Sequence, residues 1–151
     1  MAAQHFLVPT DFSPHADQAL TKAIELAKAL NARLTLLHVL HITPLTVGEV
    51  PPTYLNQYQA DLEIDAEHHL QTALDRVHAA GLQGEYVISN GPPYLTIVDT
   101  AADMKVDLVI LGTHGRTGLT HALMGSVAEK VVRLAPCPVL VTRQQQAATS
   151  A

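Results

Sequence analysis

The stretch GTHGRTGLTHALMGS, residues 112–126, carries the spacing Gly112-x2-Gly115-x9-Gly125-Ser126. It leaves an apolar run, Val106-Asp107-Leu108-Val109-Ile110-Leu111, and leads into a second run with helical periodicity. Glycines between a strand end and a helix start suit a backbone wrapped around phosphates, with a helix N-terminus aimed at the negative charge. Gly112 lets the chain turn sharply, and Gly115 can take positive φ without steric cost. Gly125 lets the backbone approach a phosphate closely, while the Ser126 hydroxyl and the N–H groups of Ser126 and Val127 can donate to it. The plainer alternative is that these glycines only make a turn. The loop has neither the Gly-Lys-Ser/Thr of a Walker A sequence nor the tight GxGxxG of dinucleotide folds.

Other residues offer chemistry less specifically. Asp11, just before Ser13-Pro14, either turns the start of a helix or presents a carboxylate to a ligand. His114 has a donor for a phosphate even when neutral, and Arg116 is either a phosphate partner or a solvated loop residue. His121 reads as a loop surface residue. Nine histidines raise the question of a metal. Adjacent His68 and His69 point about 100° apart on a helix and cannot chelate one ion together, and no cysteine cluster or HxxxH pattern supports zinc. His38, on a strand, reads as a hydrogen-bonded core residue. Cys137 lies between prolines without an evident base, and no GxSxG elbow is present.

The elements that must position these groups follow from periodicity. His5–Thr10 is a short apolar strand that stops at Asp11-Phe12-Ser13-Pro14, where Ser13 suits an N-cap and Pro14 the first helical position. Ala16, Leu20, Ala23, Ile24, Ala27 and Leu30 then mark one face of a helix. Arg33–Leu40 is a second strand, and the proline-rich segment from about His41 to Asn56 reads as a loop. A long helix over about Gln57–Ala80 carries Leu62, Ala66, Leu70, Ala73, Leu74 and Val77 on one face and stops at Gly81. Gln83–Ser89 is a strand, and a short helix starts at Asn90-Gly91-Pro92-Pro93. Asp107–Leu111 is the fourth strand, Ser126–Leu134 a helix and Pro138–Thr142 the fifth strand. The order βαβαβαβαβ implies a parallel sheet covered on both faces. Ligands of such sheets bind beyond the carboxyl ends of the strands, where strand order reverses. If the first and fourth strands are neighbours, Thr10-Asp11 and Gly112 end side by side at that crevice.

Bulk properties bound the function classes. The 151 residues, 48% hydrophobic and 15% charged, predict one globular domain over 1–143 with a polar tail over 144–151. A formal net charge of −5 argues against a general nucleic-acid binder. No apolar run reaches the roughly 20 residues of a spanning helix, the N-terminus has no signal-peptide pattern, and the single cysteine excludes an intrachain disulfide. A cytoplasmic protein is expected.

With these residues in hand, the chain resembles the ATP-binding branch of the universal stress protein family. The glycine motif carries the resemblance. It is joined by Pro9-Thr10-Asp11-Phe12-Ser13, Leu37-His38-Val39, Gly91-x-Pro93-x3-Ile97 and Pro136-Cys137-Pro138-Val139-Leu140-Val141, and the likeness covers essentially the whole chain. The resemblance implies an open five-stranded parallel α/β sheet, Rossmann-like and adenine nucleotide alpha hydrolase-like, of strand order 3-2-1-4-5 with ATP at the switch point. It implies that Pro9, Thr10 and Asp11 border the adenosine, that Val39 packs on the adenine, and that Leu111 and Gly112 flank the nucleoside. His114, Gly115, Gly125, Ser126 and Val127 would line the phosphates, with Arg116 a charge partner. Asp11 would accept from a ribose hydroxyl or bind Mg²⁺. A homodimer through the fifth strand, at Val139, Leu140 and Val141, is implied too.

On this basis the expected function is an ATP-dependent regulator of a stress response, acting on an unidentified protein partner. Two alternatives remain open: a slow Mg-dependent ATP hydrolase using Asp11, and a nucleotide-independent interaction module. A flavin protein is disfavoured by 4% aromatics and the absence of Trp.

Overall fold

The computed structural model describes residues 3–41, 51–114 and 124–143. Elements alternate as β1 (His5–Pro9), α1 (Pro14–Leu30), β2 (Arg33–Leu40), α2 (Pro52–Ala79), β3 (Gly84–Asn90), α3 (Pro93–Asp103), β4 (Leu108–Gly112), α4 (Ser126–Leu134) and β5 (Val139–Thr142). The strands form one parallel sheet in the order β3-β2-β1-β4-β5, which is the expected fold class. β1 is central. It pairs with β2 from His5↔Arg33 to Pro9↔Leu37, and with β4 at Phe6↔Leu108 and Leu7↔Val109. The chain winds from β1 to one edge of the sheet, then returns past β1 to the other, so strand order reverses between β1 and β4.

The side-chain period of two on β1 explains why both faces are covered. Phe6 and Val8 join a core with Leu20 and Ala23 of α1 and Leu70, Leu74 and Val77 of α2. Leu7 joins a second core with Leu37, Val109, Ile97 of α3 and Val131 of α4. Right-handed crossovers produce this division, with α1 and α2 on one face and α3 and α4 on the other.

Helix ends follow local chemistry. The Ser13 hydroxyl accepts from the Ala16 N–H at 3.2 Å, and Pro14 occupies the first turn. At the end of α2, Gly81 takes φ +79°. There Leu82 N–H reaches the Val77 carbonyl (3.3 Å) and Gly81 N–H the His78 carbonyl (2.9 Å), a Schellman closure.

Two expectations need correction. Residues 52–56, expected in a loop, are helical, because α2 begins at Pro52; a proline in the first turn lacks only an N–H that has no intrahelical acceptor there. Leu30, expected on the buried face of α1, is 50% exposed at the helix's last residue. Most strand boundaries shift by one residue. Residues 42–50 of the expected loop and the expected tail over 144–151 lie outside the described residues. Among the described helices, none is long and apolar enough to cross a membrane.

Candidate functional site

The site forms where β1 and β4 end. As the chain leaves β1, Thr10 N–H donates to the Leu37 carbonyl at 2.8 Å, keeping the next residue bound to the sheet. Asp11 Oδ1 then accepts from Ser13 N–H at 3.0 Å, so the carboxylate does turn the helix start, and its side chain also lines the cavity beyond. Between these residues Phe12 stands at φ 64°, a left-handed conformation that a bulky residue rarely adopts. Its ring holds it there, stacked on His38 (centroids 4.4 Å apart) and on His69 of α2 (4.8 Å). His38 Nδ1 in turn donates to the Thr10 carbonyl at 2.8 Å. The hydrogen-bonded role expected for His38 is observed, although the side chain is only half-buried.

The cavity beyond this turn has a volume of about 450 Å³, within the range of small-molecule sites. Pro9, Thr10 and Asp11 border it from β1 and its exit, Val39 from β2, and Leu111, Gly112 and His114 from β4 and its exit. Gly125, Ser126 and Val127 border it from α4. Residues more than a hundred positions apart in sequence therefore share one space. Leu37, Pro93 and Ile97 complete an apolar wall with Val39, Leu111 and Val127. Sequence reasoning named neither Leu37 nor Ile97 as site residues; both are interior residues on their elements, and nothing local distinguishes them from core.

The start of α4 also borders the cavity. Gly125 is the helix N-cap, with φ −60° and ψ 155°, and having no side chain it makes no side-chain cap bond. The N–H groups of the first helical residues have no intrahelical acceptors; those residues, Ser126, Val127 and Ala128, all line the cavity. The helix dipole adds partial positive charge at that point. An anion is the complementary ligand.

The glycines have reasons inside the chain. A Cβ on Gly112 would lie 2.9 Å from the carbonyl oxygen of His15, and one on Gly125 would lie 2.8 Å from that of Thr113. Gly125 N–H also donates to the Thr113 carbonyl, at 2.6 Å. Gly112 thus lets the first turn of α1 pack against β4, and Gly125 lets α4 start beside the end of β4. Neither glycine takes positive φ. Gly115, Arg116 and His121 lie outside the described residues.

The remaining candidates are elsewhere. Cys137 does not line the cavity; burial, and secondarily Asp107, push its thiol up from its ordinary value, the opposite of an activated nucleophile. Val139, Leu140 and Val141 lie on β5, the strand at the sheet's edge. No group of three or more His, Cys, Asp or Glu residues suited to a metal occurs among the described residues.

Comparison with known proteins matches this architecture. Residues 2–143 match the model of the universal stress protein family. The chain belongs to the universal stress protein family. It is 32% identical over 143 residues to universal stress protein YxiE of Bacillus subtilis, covering 91% of this chain and 97% of the relative. It is also 32% identical over 153 residues to universal stress protein MJ0577 of Methanocaldococcus jannaschii, covering 92% and 94%. A solved structure of MJ0577 superposes with a TM-score of 0.83 at 30% identity, over 97% of this chain and 100% of that one. Another universal stress protein, solved in complex with cAMP, superposes with a TM-score of 0.68 at 27% identity, over 94% and 98%. In this universal stress protein the cavity therefore lies at the switch point of a fold shared along nearly the whole chain.

Proposed function

We propose that this universal stress protein binds ATP or a related adenine nucleotide in the cavity beyond β1 and β4. The observation that carries the reading is the N-terminus of α4, whose first residues line that cavity together with apolar side chains of the sheet and α3. The wall of Leu37, Val39, Ile97 and Leu111 suits a flat heterocycle, and the N–H groups of Ser126 and Val127 suit phosphate oxygens. Thr10, Asp11 and His114 add polar groups to the lining. That a universal stress protein 27% identical to this one was solved with cAMP supports an adenine nucleotide as the ligand class. Asp11, the carboxylate at the cavity, fits a Mg²⁺ carried in with the nucleotide, and such an ion would neutralise phosphate charge.

The protein works as a nucleotide-dependent regulator in the cytoplasm, within a single domain over 1–143. Its homodimer forms through the outer edge of β5, at Val139, Leu140 and Val141. An edge strand presents unpaired backbone groups, and Val132 and Leu134 of α4, 45% and 51% exposed, offer further apolar area.

The test is calorimetric titration of Mg-ATP into the native protein and Ser126→Asp. An aspartate at the start of α4 stabilises the helix by about 0.3–1 kcal/mol through the dipole, yet repels phosphate. Unchanged or raised thermal stability with at least about a tenfold loss of ATP affinity is expected. Equal ATP affinity in the two proteins would remove the phosphate from the α4 terminus.

A further inference from the structure

Beside the cavity, two imidazoles from distant parts of the chain meet. His15 lies in the first turn of α1 and His114 lies two residues beyond β4; their ring centroids are 5.3 Å apart and their planes tilted by 56°. The approach is built into the backbone: Gly112 has no side chain, so the His15 main chain and Cβ seat directly against it. Among the described residues, His15 Nδ1 is buried without a hydrogen-bond partner. A buried polar atom left in that state calls for a ligand, a water or an ion. His114 lines the nucleotide cavity, and the Thr113 hydroxyl lies 3.1 Å from its Nδ1, an outer contact of the kind that orients a ligating ring.

We propose that His15 and His114 together bind a divalent transition metal ion, zinc being the natural candidate, whose coordination is completed by phosphate oxygens of the bound nucleotide. The inference rests on the nucleotide reading above. Two imidazoles sharing one tetrahedral ion, with metal–nitrogen distances of about 2.0–2.1 Å, hold their ring centres about 5 Å apart. The observed centroid separation of 5.3 Å is of that size. Two protein ligands make an incomplete site, so the ion binds firmly only together with the nucleotide. Imidazole ligands favour zinc and cobalt over magnesium, which prefers oxygen. The chain thereby selects the metal complex in which its nucleotide arrives. His15 escaped notice in the sequence because it reads as one more polar residue in a helix's first turn; only the fold brings it to His114.

Co²⁺ serves as the spectroscopic probe, with Zn²⁺ and Mg²⁺ compared by calorimetry on the full chain. Titrating Co²⁺ into native protein saturated with ATP is expected to produce visible d–d bands of low-symmetry coordination beyond those of Co-ATP alone. ATP is expected to bind at least about tenfold more tightly with Zn²⁺ than with Mg²⁺. His15→Ala and the bulkier His15→Gln are expected to lose both the new bands and the preference, with folding checked by far-UV circular dichroism. Mg-ATP binding without metal preference or new bands would overturn the metal site while leaving the nucleotide reading intact. Absence of ATP binding with any of the metals would overturn both. Bands that persist in both His15 variants would place the ion elsewhere.

Discussion

The two ends of the sheet are made of similar residue types and treat them differently. At the amino ends, polar groups are turned on each other. His5 N–H donates to Asp107 Oδ2 and Asp107 N–H donates back to the His5 carbonyl, both at 2.8 Å. Thr35 Oγ1 lies 2.7 Å from His5 Nε2 and donates to Glu85 at 3.1 Å, so a relay of side chains crosses β1, β2 and β3. Among the described residues there, His5 Nδ1 is the one buried side-chain nitrogen without a hydrogen-bond partner. At the carboxyl ends, a helix starts at a glycine that makes no side-chain cap bond, a phenylalanine stands in a left-handed conformation, and a second histidine nitrogen is buried without a partner among the described residues. Satisfied groups stabilise the fold, whereas groups left open at a cavity are available to a ligand.

The largest expected effect breaks the carboxyl end. Gly112→Ala would put a Cβ 2.9 Å from a backbone oxygen and 3.1 Å from the His15 Cβ, and neither is the yielding tip of a flexible side chain. Moving α1 off β4 is expected to cost about 1–3 kcal/mol in urea unfolding. The same shift separates His15 from His114 and moves Asp11, so ATP affinity should fall in parallel. A variant with native stability and affinity would mean that the α1–β4 approach does not set the site.

That glycine also marks the limit of what the sequence discloses. The strand and helix order was legible because β1 and β4 are short apolar runs and α1 has Ser13-Pro14 at its start. The crevice was legible because parallel order fixes where ligands go. Asp11, Val39, Gly125 and Ser126 line one cavity. What Gly112 and Gly125 do was not legible, since the atoms their missing Cβ groups avoid belong to His15 and Thr113, contacts that form only in the folded chain. Nor was the Phe12 stack, which depends on His69 arriving from α2. The helix at residues 52–56 was missed for a different reason: prolines read as loop formers, and the one in the first turn of α2 is a helix starter.

A smaller effect tests the amino end. Burial, and after it the Arg33 charge, hold His5 below its ordinary value of 6.5. The folded state therefore favours neutral His5, and between the folded value and 6.5 the unfolded chain binds the extra proton. This contribution is full above pH about 6.5 and declines as pH falls below it, until the folded state protonates too. The thermal midpoint of the native protein should fall between pH 7 and pH 5 more steeply than that of His5→Gln, measured by circular dichroism. Parallel curves would show that His5 is not the group the fold keeps neutral. Mg-ATP affinity should differ little between the two proteins at pH 7.5, because His5 lies at the opposite end of the strands from the cavity.

The smallest effect separates two kinds of strain. Lys105 stands at φ 51°, much as Phe12 stands at 64°. Around Lys105, Val106 N–H reaches the Ala101 carbonyl and Lys105 N–H the Ala102 carbonyl, both at 3.2 Å, closing α3 as a Schellman motif. The position needs a left-handed residue, and among the described residues the lysine side chain makes no hydrogen bond or ion pair. Glycine meets that need without a Cβ penalty, so Lys105→Gly is expected to gain about 0.5–1 kcal/mol in urea unfolding, less what the freer unfolded chain takes back. Phe12→Gly would relieve the same backbone cost and is still expected to lose stability, because it removes the ring stacked between His38 and His69. Opposite signs from the two substitutions would show that the left-handed residue after α3 is a helix closure any glycine could make, while the one after β1 is held by its ring. If both variants gained stability, the aromatic stack would contribute less than the strain it accompanies, and Phe12 would no longer account for how the turn at Asp11 is held.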